Sequence, residues 1–356
     1  MNKIYNFSAG PAVLPESVLK QAAAAVVDYN GDGLSILEMS HRSAPIVEMV
    51  EETRQLICDT LGVPDNYTIL FLQGGASLQF SMIPMNILKE DETADYTDTG
   101  AWSAKAIKEA QRFGNVHVIS SSKETVYNHI PKDYNQSDTQ VYLHITSNNT
   151  IYGTQWHEFP KANGFLVADM SSDIFSRSFD INEFGVLYAG AQKNMGPAGV
   201  TMVIIRKDLI GRAKRDVPSM LDFAIHADKD SMFNTPPVFA IYVVNRTLHW
   251  LQELGGVEAM HEQNKAKAKL LYDEIEKNPR FKSPIAEEDR SLMNVPFVFA
   301  DGGDEAHFLD FCAKRGLVTL KGHRSVGGFR ASIYNAMSKE GVETLVKAMR
   351  DYTQSY

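Results

Sequence analysis

The sequence predicts an α/β protein in which a mostly parallel sheet is covered by helices on both faces and is followed by a smaller α+β domain. Short apolar runs alternate with helical segments between residues 68 and 205, a pattern typical of a doubly wound sheet. After the glycine pair 255–256, two strand candidates frame a single helix, which is a different order of elements. A chain of 356 residues with 44% hydrophobic residues can bury the cores of two domains.

The elements follow from local patterns in chain order. Gly and Pro are too dense in residues 6–15 for a regular element, so residues 1–15 are predicted to form an arm. Pro15 then opens the first helix of a large domain, residues 16–256, and the glycine pair leads into a small domain, residues 257–356. Strands are predicted at 68–72, 95–100, 116–119, 141–146, 165–168, 200–205, 294–299 and 329–333, and further helices at 47–61, 209–215, 240–254, 257–277, 304–315 and 339–352.

Charge and cysteine content exclude several classes of function. Lys and Arg total 35 against 44 Asp and Glu, a net charge of −9, which argues against nucleic acid or an anionic membrane as a partner. Cys58 and Cys312 lie far apart and outside any recognisable motif, so we expect reduced thiols and no metal. The chain start lacks a signal-peptide core and no run approaches ~20 apolar residues, so a cytoplasmic location is expected.

Lys193 lies in a turn rich in Gly, Pro and Asn between the apolar runs 185–190 and 200–205. Burial between strands lowers the pKa of a lysine and frees the lone pair that forms a Schiff base with an aldehyde. Asp169 closes the run 165–168, so both residues are predicted to face one crevice at the carboxyl ends of the strands. Such a pair suits pyridoxal phosphate, which needs a lysine for its aldehyde and a carboxylate for its pyridine nitrogen. The alternatives are a solvated lysine in a surface turn and an aspartate that only shapes a turn.

The stretch after the first strand has phosphate-binding character. Two glycines and then a helix follow that strand, so the backbone can approach an anion, and the free amides of Ala76 and Ser77 at the helix start favour negative charge. Trp102, at the start of another helix, suits stacking on an aromatic cofactor, and Thr150 suits contact with a ring substituent. The alternatives are a turn that is glycine-rich for steric reasons and a tryptophan that belongs to the core.

Local clusters of positive charge stand out in this acidic protein. The pair His41 and Arg42 precedes one helix, the pair His323 and Arg324 precedes a glycine turn, and Arg330 begins a strand. A guanidinium group can bind carboxylate or phosphate through two hydrogen bonds, so these residues suit a ligand with two anionic ends. A separate charge run is predicted to be a solvated helix face, and it consists of Lys265, Lys267 and Lys269.

Longer motifs make the chain resemble a known family. The most specific are residues 6–12, 40–42, 191–194, 322–324 and 330–336, which are spread over nearly the whole chain. They are similar to motifs of the phosphoserine aminotransferases, in the class V branch of fold-type I pyridoxal phosphate enzymes. The resemblance implies the fold-type I architecture, with a seven-stranded, mostly parallel sheet in the large domain, and pyridoxal 5'-phosphate as the cofactor.

The resemblance also implies roles for the residues of the cofactor site. Lys193 would be the Schiff-base lysine and the acid/base that moves a proton, and Asp169 would pair with the pyridinium. Trp102 would stack on the ring and Thr150 would contact its hydroxyl side. The cofactor phosphate would be held by five residues, the last two from a second subunit: Ala76, Ser77, Gln192, Asn234 and Thr235. Other members often have Gly-Arg where this chain has Ala76 and Ser77.

For the reaction, the resemblance implies ping-pong transamination in serine biosynthesis. L-Glutamate gives up its amino group and leaves as 2-oxoglutarate, and 3-phosphohydroxypyruvate takes the group and becomes O-phospho-L-serine. Arg330 would bind the α-carboxylate. Members of the family are homodimers with shared sites, so His41 and Arg42 of a partner chain would join His323 and Arg324 around the distal phosphate or carboxylate.

Three other functions compete with this hypothesis. Another class V enzyme, such as an alanine–glyoxylate or serine–pyruvate aminotransferase, would not use so many cations. A cysteine desulfurase needs a mobile nucleophilic cysteine, whereas Cys58 and Cys312 lie in helix-like apolar contexts. A non-catalytic protein that binds a phosphate ligand on the same fold would keep the arginines and would not need both Lys193 and Asp169.

Overall fold

The structure is a computed structural model that describes residues 3–356. Its strands are β1 (Tyr5–Asn6), β2 (Tyr67–Leu72), β3 (Thr93–Asp98), β4 (Asn115–Ser121), β5 (Tyr142–Thr146), β6 (Phe165–Asp169), β7 (Phe184–Gly190), β8 (Thr201–Arg206), β9 (Phe281–Lys282), β10 (Asn294–Phe299), β11 (Leu317–Val318) and β12 (Phe329–Ser332). Its α-helices are α1 (Glu16–Val27), α2 (Ala44–Leu61), α3 (Gly75–Ile87), α4 (Ala101–Ala110), α5 (Phe223–Asp228), α6 (Val238–Glu253), α7 (Gly256–Lys277), α8 (Glu305–Ala313) and α9 (Lys339–Ser355). Among residues 3–356, no helix is both long enough and apolar enough to cross a membrane.

Seven strands form one large sheet in the order β2-β8-β7-β6-β5-β3-β4. All neighbours from β7 to β4 run parallel, whereas β8 is antiparallel to both β7 and β2. The predicted seven-stranded, mostly parallel sheet is therefore confirmed. Its parallel part matters for function because parallel strands bring their carboxyl ends to one edge.

Alternate residues of each central strand enter cores on opposite faces of this sheet. In β6, Leu166 and Ala168 pack with α1, α2 and α6, while Val167 packs with α3 and α4. Because helices cover both faces, the central strands are nearly continuous apolar runs, and β5 and β7 are buried along their whole length.

A second core lies around the three-stranded antiparallel sheet β12-β10-β9. Helices α7, α8 and α9 pack on it around a group of aromatic rings, among which the centroids of Phe308 and Phe329 are 4.7 Å apart. Edge-to-face contacts of this kind add to the free energy gained by burial. This unit is the smaller α+β domain that the element order predicts.

The amino-terminal arm packs against the second core. β1 runs parallel to β11, with Tyr5 opposite Leu317, and both Tyr5 and Phe7 are buried in that core. The loop predicted for residues 6–15 differs from the structure only at Asn6, which ends the short strand β1.

The prediction of a helix at 209–215 is wrong. A single 3-10 turn spans Lys207–Leu209, and the positive φ of 72° at Gly211 stops further helix formation. The guanidinium groups of Arg212 and Arg215 donate to main-chain carbonyl groups of α3, which hold this segment in place. An alternation of charged and apolar residues resembles a helix pattern here, but these tertiary contacts determine the conformation.

The prediction of a solvated helix face is wrong for one of its three lysines. Lys265 and Lys269 project into solvent and form ion pairs with Glu262 and Asp273. Lys267, between them in sequence, is only 3% exposed, and its Nζ donates to main-chain carbonyl groups of the small domain.

Candidate active site

Chemically active side chains meet at the carboxyl edge of the large sheet. Asp169 ends β6, Thr146 ends the neighbouring strand β5, and Lys193 follows β7. A cavity of about 120 Å³ opens there, and both Asp169 and Lys193 line it. The lining comprises Gly75, Ala76, Ser77, Phe80, Trp102, Thr146, Asn148, Thr150, Asp169, Ser171, Ser172, Gln192 and Lys193.

Lys193 is held as a partly buried amine within this cavity. Its Nζ donates to Thr150 Oγ1 at 2.7 Å. Burial lowers the pKa of Lys193 to about 8, the charge of Arg330 acts in the same direction, and the Asp169 carboxylate opposes both. A larger fraction of this amine is therefore neutral near pH 7 than of an ordinary surface lysine, which makes it a usable nucleophile and base.

Asp169 is 6% exposed, and neighbouring main-chain groups fix its orientation. One carboxylate oxygen accepts a hydrogen bond from the amide of Ser171 at 2.9 Å. Burial raises the pKa of Asp169, whereas the charge of Lys193 and the hydrogen bonds from Ser171 lower it. A carboxylate in such an environment gains from a cationic partner, because burial separates its charge from bulk water.

Ser147 and Asp173 support the main chain of Asp169 from behind, and the sequence analysis did not identify them. The hydroxyl oxygen of Ser147 lies within hydrogen-bond distance of both the Asp169 carbonyl oxygen, at 2.9 Å, and the Asp173 carboxylate, and its one proton serves one acceptor at a time. Asp173 also accepts a hydrogen bond from Gln155 Nε2 at 3.2 Å and pairs with Arg177. The polar run Ser171-Ser172-Asp173, which begins two residues after the end of β6, was the available signal, since ligands bind at the carboxyl ends of parallel strands.

The turn between β2 and α3 presents main-chain amides to the cavity. Gly74 and Gly75 have φ values of 90° and 68°, in the left-handed region that favours glycine. They place Ala76 and Ser77 in the first turn of α3, where amide groups lack helical acceptors and the helix dipole favours an anion. The side chain of Gln73, just before this turn, donates to the carbonyl group of Thr235 at 3.0 Å.

Two polar atoms at the cavity lack a partner within the described residues. Both Trp102 Nε1 and Thr146 Oγ1 are buried without a hydrogen bond, and both side chains line the cavity. Buried polar groups are normally satisfied, so this pattern fits a site built for a polar ligand. With a lysine, a carboxylate, an aromatic face and a helix start in one cavity, the residues fit pyridoxal phosphate.

Arg330 joins the site from the small domain. It lies in β12 opposite Pro296 of β10, and its Nη1 donates to the carbonyl group of Thr150 at 3.1 Å. Since the hydroxyl of Thr150 also accepts a hydrogen bond from Lys193, Arg330 lies close to the amine. Burial lowers the pKa of Arg330, and a partly desolvated guanidinium binds a carboxylate strongly.

The three predicted cations of the small domain, Arg330, His323 and Arg324, lie outside the cavity lining. His323 and Arg324 belong to the loop before β12, and burial together with the charges of Arg330, Arg324 and Lys105 lowers the pKa of His323. The positive charges of these three residues therefore reach His323 and disfavour its protonated form. Besides the three cations of the small domain, four more predicted site residues do not line the cavity of this single chain, namely His41, Arg42, Asn234 and Thr235.

Neither cysteine has the properties of a catalytic thiol. Both are unpaired in the structure. Burial raises the pKa of Cys58 and raises that of Cys312 to about 12, so neither forms a thiolate readily. Within residues 3–356, no three His, Cys, Asp or Glu side chains are grouped closely enough to hold a metal ion.

Comparison with known proteins places the chain in a family. The family model for class V aminotransferases matches residues 4–345. A phosphoserine aminotransferase from Desulfotalea psychrophila is 51% identical over 351 residues, which cover 98% of this chain and 97% of that protein. The solved phosphoserine aminotransferase from Bacillus circulans subsp. alkalophilus is 47% identical with a TM-score of 0.96, over 99% of both chains.

A further solved structure is described as having pyridoxal phosphate bound. It is a phosphoserine aminotransferase from Trichomonas vaginalis, 41% identical, with a TM-score of 0.93, covering 98% of this chain and 100% of that one. Proteins with this level of sequence identity over their full length share one fold. The chain therefore belongs to the class V aminotransferase family and, within it, groups with the phosphoserine aminotransferases.

Proposed function

We propose that the chain transfers an amino group from L-glutamate to 3-phosphohydroxypyruvate, giving O-phospho-L-serine and 2-oxoglutarate, with pyridoxal 5'-phosphate as cofactor. The observation that carries this proposal is the single cavity in which Lys193 and Asp169 lie together, with Arg330 beside them. The similarity to phosphoserine aminotransferases over the whole chain supports the choice of substrates. The reaction is a step of serine biosynthesis.

Each part of the cavity would hold a different part of the cofactor. Asp169 would pair with the pyridine nitrogen, Trp102 would stack on the ring, and Thr150 would contact the ring hydroxyl. The phosphate would lie at the start of α3, held by a set of residues that includes two from a partner subunit: Ala76, Ser77, Gln192, Asn234 and Thr235. Main-chain amides and a hydroxyl would then take the place of the arginine that other members use there.

Lys193 would perform the proton transfers. Pyridoxal phosphate, when bound, withdraws electrons from the substrate α-carbon and acidifies its proton. The Nζ of Lys193, with a pKa of about 8, would take that proton and return it on the cofactor side. The hydroxyl of Thr150, 2.7 Å from Nζ, would keep the amine oriented, and burial would exclude competing water.

Substrate recognition would rest on positive charge at both ends. Arg330 would bind the α-carboxylate that donor and acceptor have in common. His323 and Arg324 would approach the distal phosphate or side-chain carboxylate, together with His41 and Arg42 contributed by a partner subunit. An alanine-type substrate has one anionic end only, so it would leave this second positive region unused.

The proposal includes a homodimer in the cytoplasm. A single chain leaves His41, Arg42, Asn234 and Thr235 outside the cavity lining, and a second copy would bring them to it. The unpaired cysteines suit a reducing compartment.

The function is tested by an amino-transfer assay with a panel of acceptors. L-Glutamate is supplied as donor, and 2-oxoglutarate formation is measured with 3-phosphohydroxypyruvate, pyruvate or glyoxylate. We expect kcat/KM to be at least about 100-fold higher for the phosphorylated acceptor, since a lost charge-assisted contact costs roughly 3 kcal/mol. Equal rates with pyruvate or glyoxylate would favour another class V aminotransferase, and no transfer with any acceptor would favour a binding protein. Lys193→Ala is the control for background transfer.

A further inference from the structure

Lys267 is a buried lysine that the catalytic proposal does not use. It lies on α7, and its Nζ is surrounded by main-chain carbonyl oxygens of the segment 333–337, which directly follows β12. The distances from Nζ are 2.8 Å to Tyr334, 3.0 Å to Met337, 3.1 Å to Ile333 and 3.3 Å to Asn335.

Burial lowers the pKa of Lys267 to about 7, so the amine acts inside the small domain mainly as a shared hydrogen-bond donor. The segment 333–337 belongs to no strand or helix, so its carbonyl groups need donors from elsewhere. Among the described residues, Lys267 forms no ion pair with a carboxylate, and an ammonium has three donors to share among these carbonyl groups. Removing the amine would leave several buried carbonyl groups unsatisfied at once.

The same segment is tied to the loop that carries Lys193. The amide of Asn335 donates to Asn194 Oδ1 at 3.0 Å, and Asn335 Nδ2 donates to the carbonyl group of Phe175 at 2.9 Å. Asn264, on α7 like Lys267, donates to Asn335 Oδ1 at 2.8 Å. Because Asn194 directly follows Lys193, this chain of contacts runs from α7 to the residue next to the reactive lysine.

We propose that Lys267 is a positioning residue for the transamination: by holding the segment 333–337, it keeps Asn335 against Asn194 and so fixes the direction in which Lys193 presents its amine. This role rests on the proposed function. Arg330 is anchored independently, through its pairing with β10 and its hydrogen bond to Thr150. The inference therefore concerns proton transfer by Lys193 more than capture of the carboxylate.

The test uses Lys267→Met, which keeps most of the length of the side chain and removes its amine donors. Because a displacement of about 1 Å at a reacting group can cost ~100-fold in rate, we expect kcat per bound cofactor to fall roughly 10- to 100-fold. KM for L-glutamate should change less than about threefold, because Arg330 remains in place. The matched controls are Lys265→Met and Lys269→Met on the same helix, which should leave both constants unchanged.

An isotope effect separates positioning from a general loss of structure. With glutamate deuterated at the α-carbon, the isotope effect on kcat should increase in Lys267→Met, because proton transfer becomes slower than the other steps. Partial unfolding lowers the number of active molecules and leaves this ratio unchanged. An unchanged isotope effect in Lys267→Met would overturn the proposal. If that variant does not fold, Lys267→Gln, which keeps two donors, takes its place under the same criterion.

Two further readouts locate the effect. Amide hydrogen exchange at Asn335 should be at least tenfold faster in Lys267→Met, and unchanged exchange would also overturn the proposal. This measurement does not depend on catalysis, so it remains valid if the proposed reaction is wrong. Asn194→Ala removes the other end of the contact. If both residues act through Asn335, the double variant should lose less activity than the product of the single losses, whereas independent effects would contradict the role.

Discussion

At the residue scale, the site depends on how three charged groups share one buried space. Burial and Arg330 both favour the neutral amine of Lys193, and Asp169 favours the charged one. The balance places the pKa of Lys193 at about 8, below the ordinary value of 10.5. An amine so placed can accept a proton from a substrate near pH 7 and release it in a later step.

The pKa of Lys193 predicts how the cofactor-free protein takes up pyridoxal phosphate. Only the neutral amine attacks the aldehyde, so the uptake rate should rise as the pH increases through about 8. The rate is followed by the visible absorbance of the product in stopped-flow experiments. Asp169→Asn removes the charge that raises the pKa of Lys193, so its midpoint should lie lower. A midpoint near 10.5 in the unaltered protein would show that the amine is fully solvated.

A site residue could be predicted from the sequence only where its environment is formed by residues close to it in the chain. Lys193 and Asp169 were predictable because each follows an apolar run that becomes a strand. Lys267 was not, because charges at alternate positions of a helix look solvated, and its acceptors come from a segment more than 60 residues later in the chain.

At the element scale, the start of α3 is the part of the site that the backbone alone creates. Gly74 has a φ of 90°, and a Cβ atom there would lie 2.4 Å from Leu78 Cδ2. Glycine at this position therefore allows both the turn and the close approach of the first helical residues. The amides of Ala76 and Ser77 depend on that geometry.

Gly74→Ala should weaken cofactor binding in addition to destabilising the fold. A left-handed conformation costs an alanine about 1–2 kcal/mol, and the contact with Leu78 adds to this. Gly211→Ala is the matched control, because Gly211 also has a positive φ, of 72°, with no atom within 4 Å of an added Cβ. Both variants should unfold at lower denaturant concentration, but only Gly74→Ala should raise the dissociation constant of pyridoxal phosphate in a fluorescence titration. Equal cofactor affinity in the two variants would mean that this turn does not shape the phosphate site.

Elements that depend on local sequence patterns were predicted well, whereas elements that depend on tertiary contacts were not. Strands β5 and β6 were predicted to within one residue, because strands buried on both faces have apolar runs with clear ends. The helix at 209–215 failed because Arg212 and Arg215 bind carbonyl groups of α3, contacts that no local pattern reveals.

At the scale of the whole molecule, the site lies where the two cores meet. Thr150 and Lys193 come from the large sheet and its loops, while Arg330 comes from the small sheet. The α/β class and the two cores were predictable from the alternation of elements along the chain. A second subunit was not predictable from patterns within one chain, because its contacts leave no periodic signal, and only the resemblance implied it.

Shared sites predict that two inactive variants restore each other. In a shared site, Arg42→Ala would damage a residue that a subunit lends to its partner, and Lys193→Ala would damage a residue that it keeps. Coexpressed with different affinity tags, the two should form heterodimers with one intact site of two, and so regain about half of the unaltered activity. Homodimers of each variant are the controls. Heterodimers that stay inactive would show that Arg42 acts within its own chain or outside the site.

We expect the protein to bind pyridoxal phosphate and to recognise a doubly anionic amino acid. An absorbance titration tests both properties at once. The purified protein is loaded with pyridoxal phosphate and titrated with O-phospho-L-serine and, separately, with L-alanine. We predict a visible band that gives way to an ultraviolet band, at O-phospho-L-serine concentrations at least about 100-fold below those needed for L-alanine. A protein that shows no visible band, or a band that responds equally to both amino acids, would contradict the account.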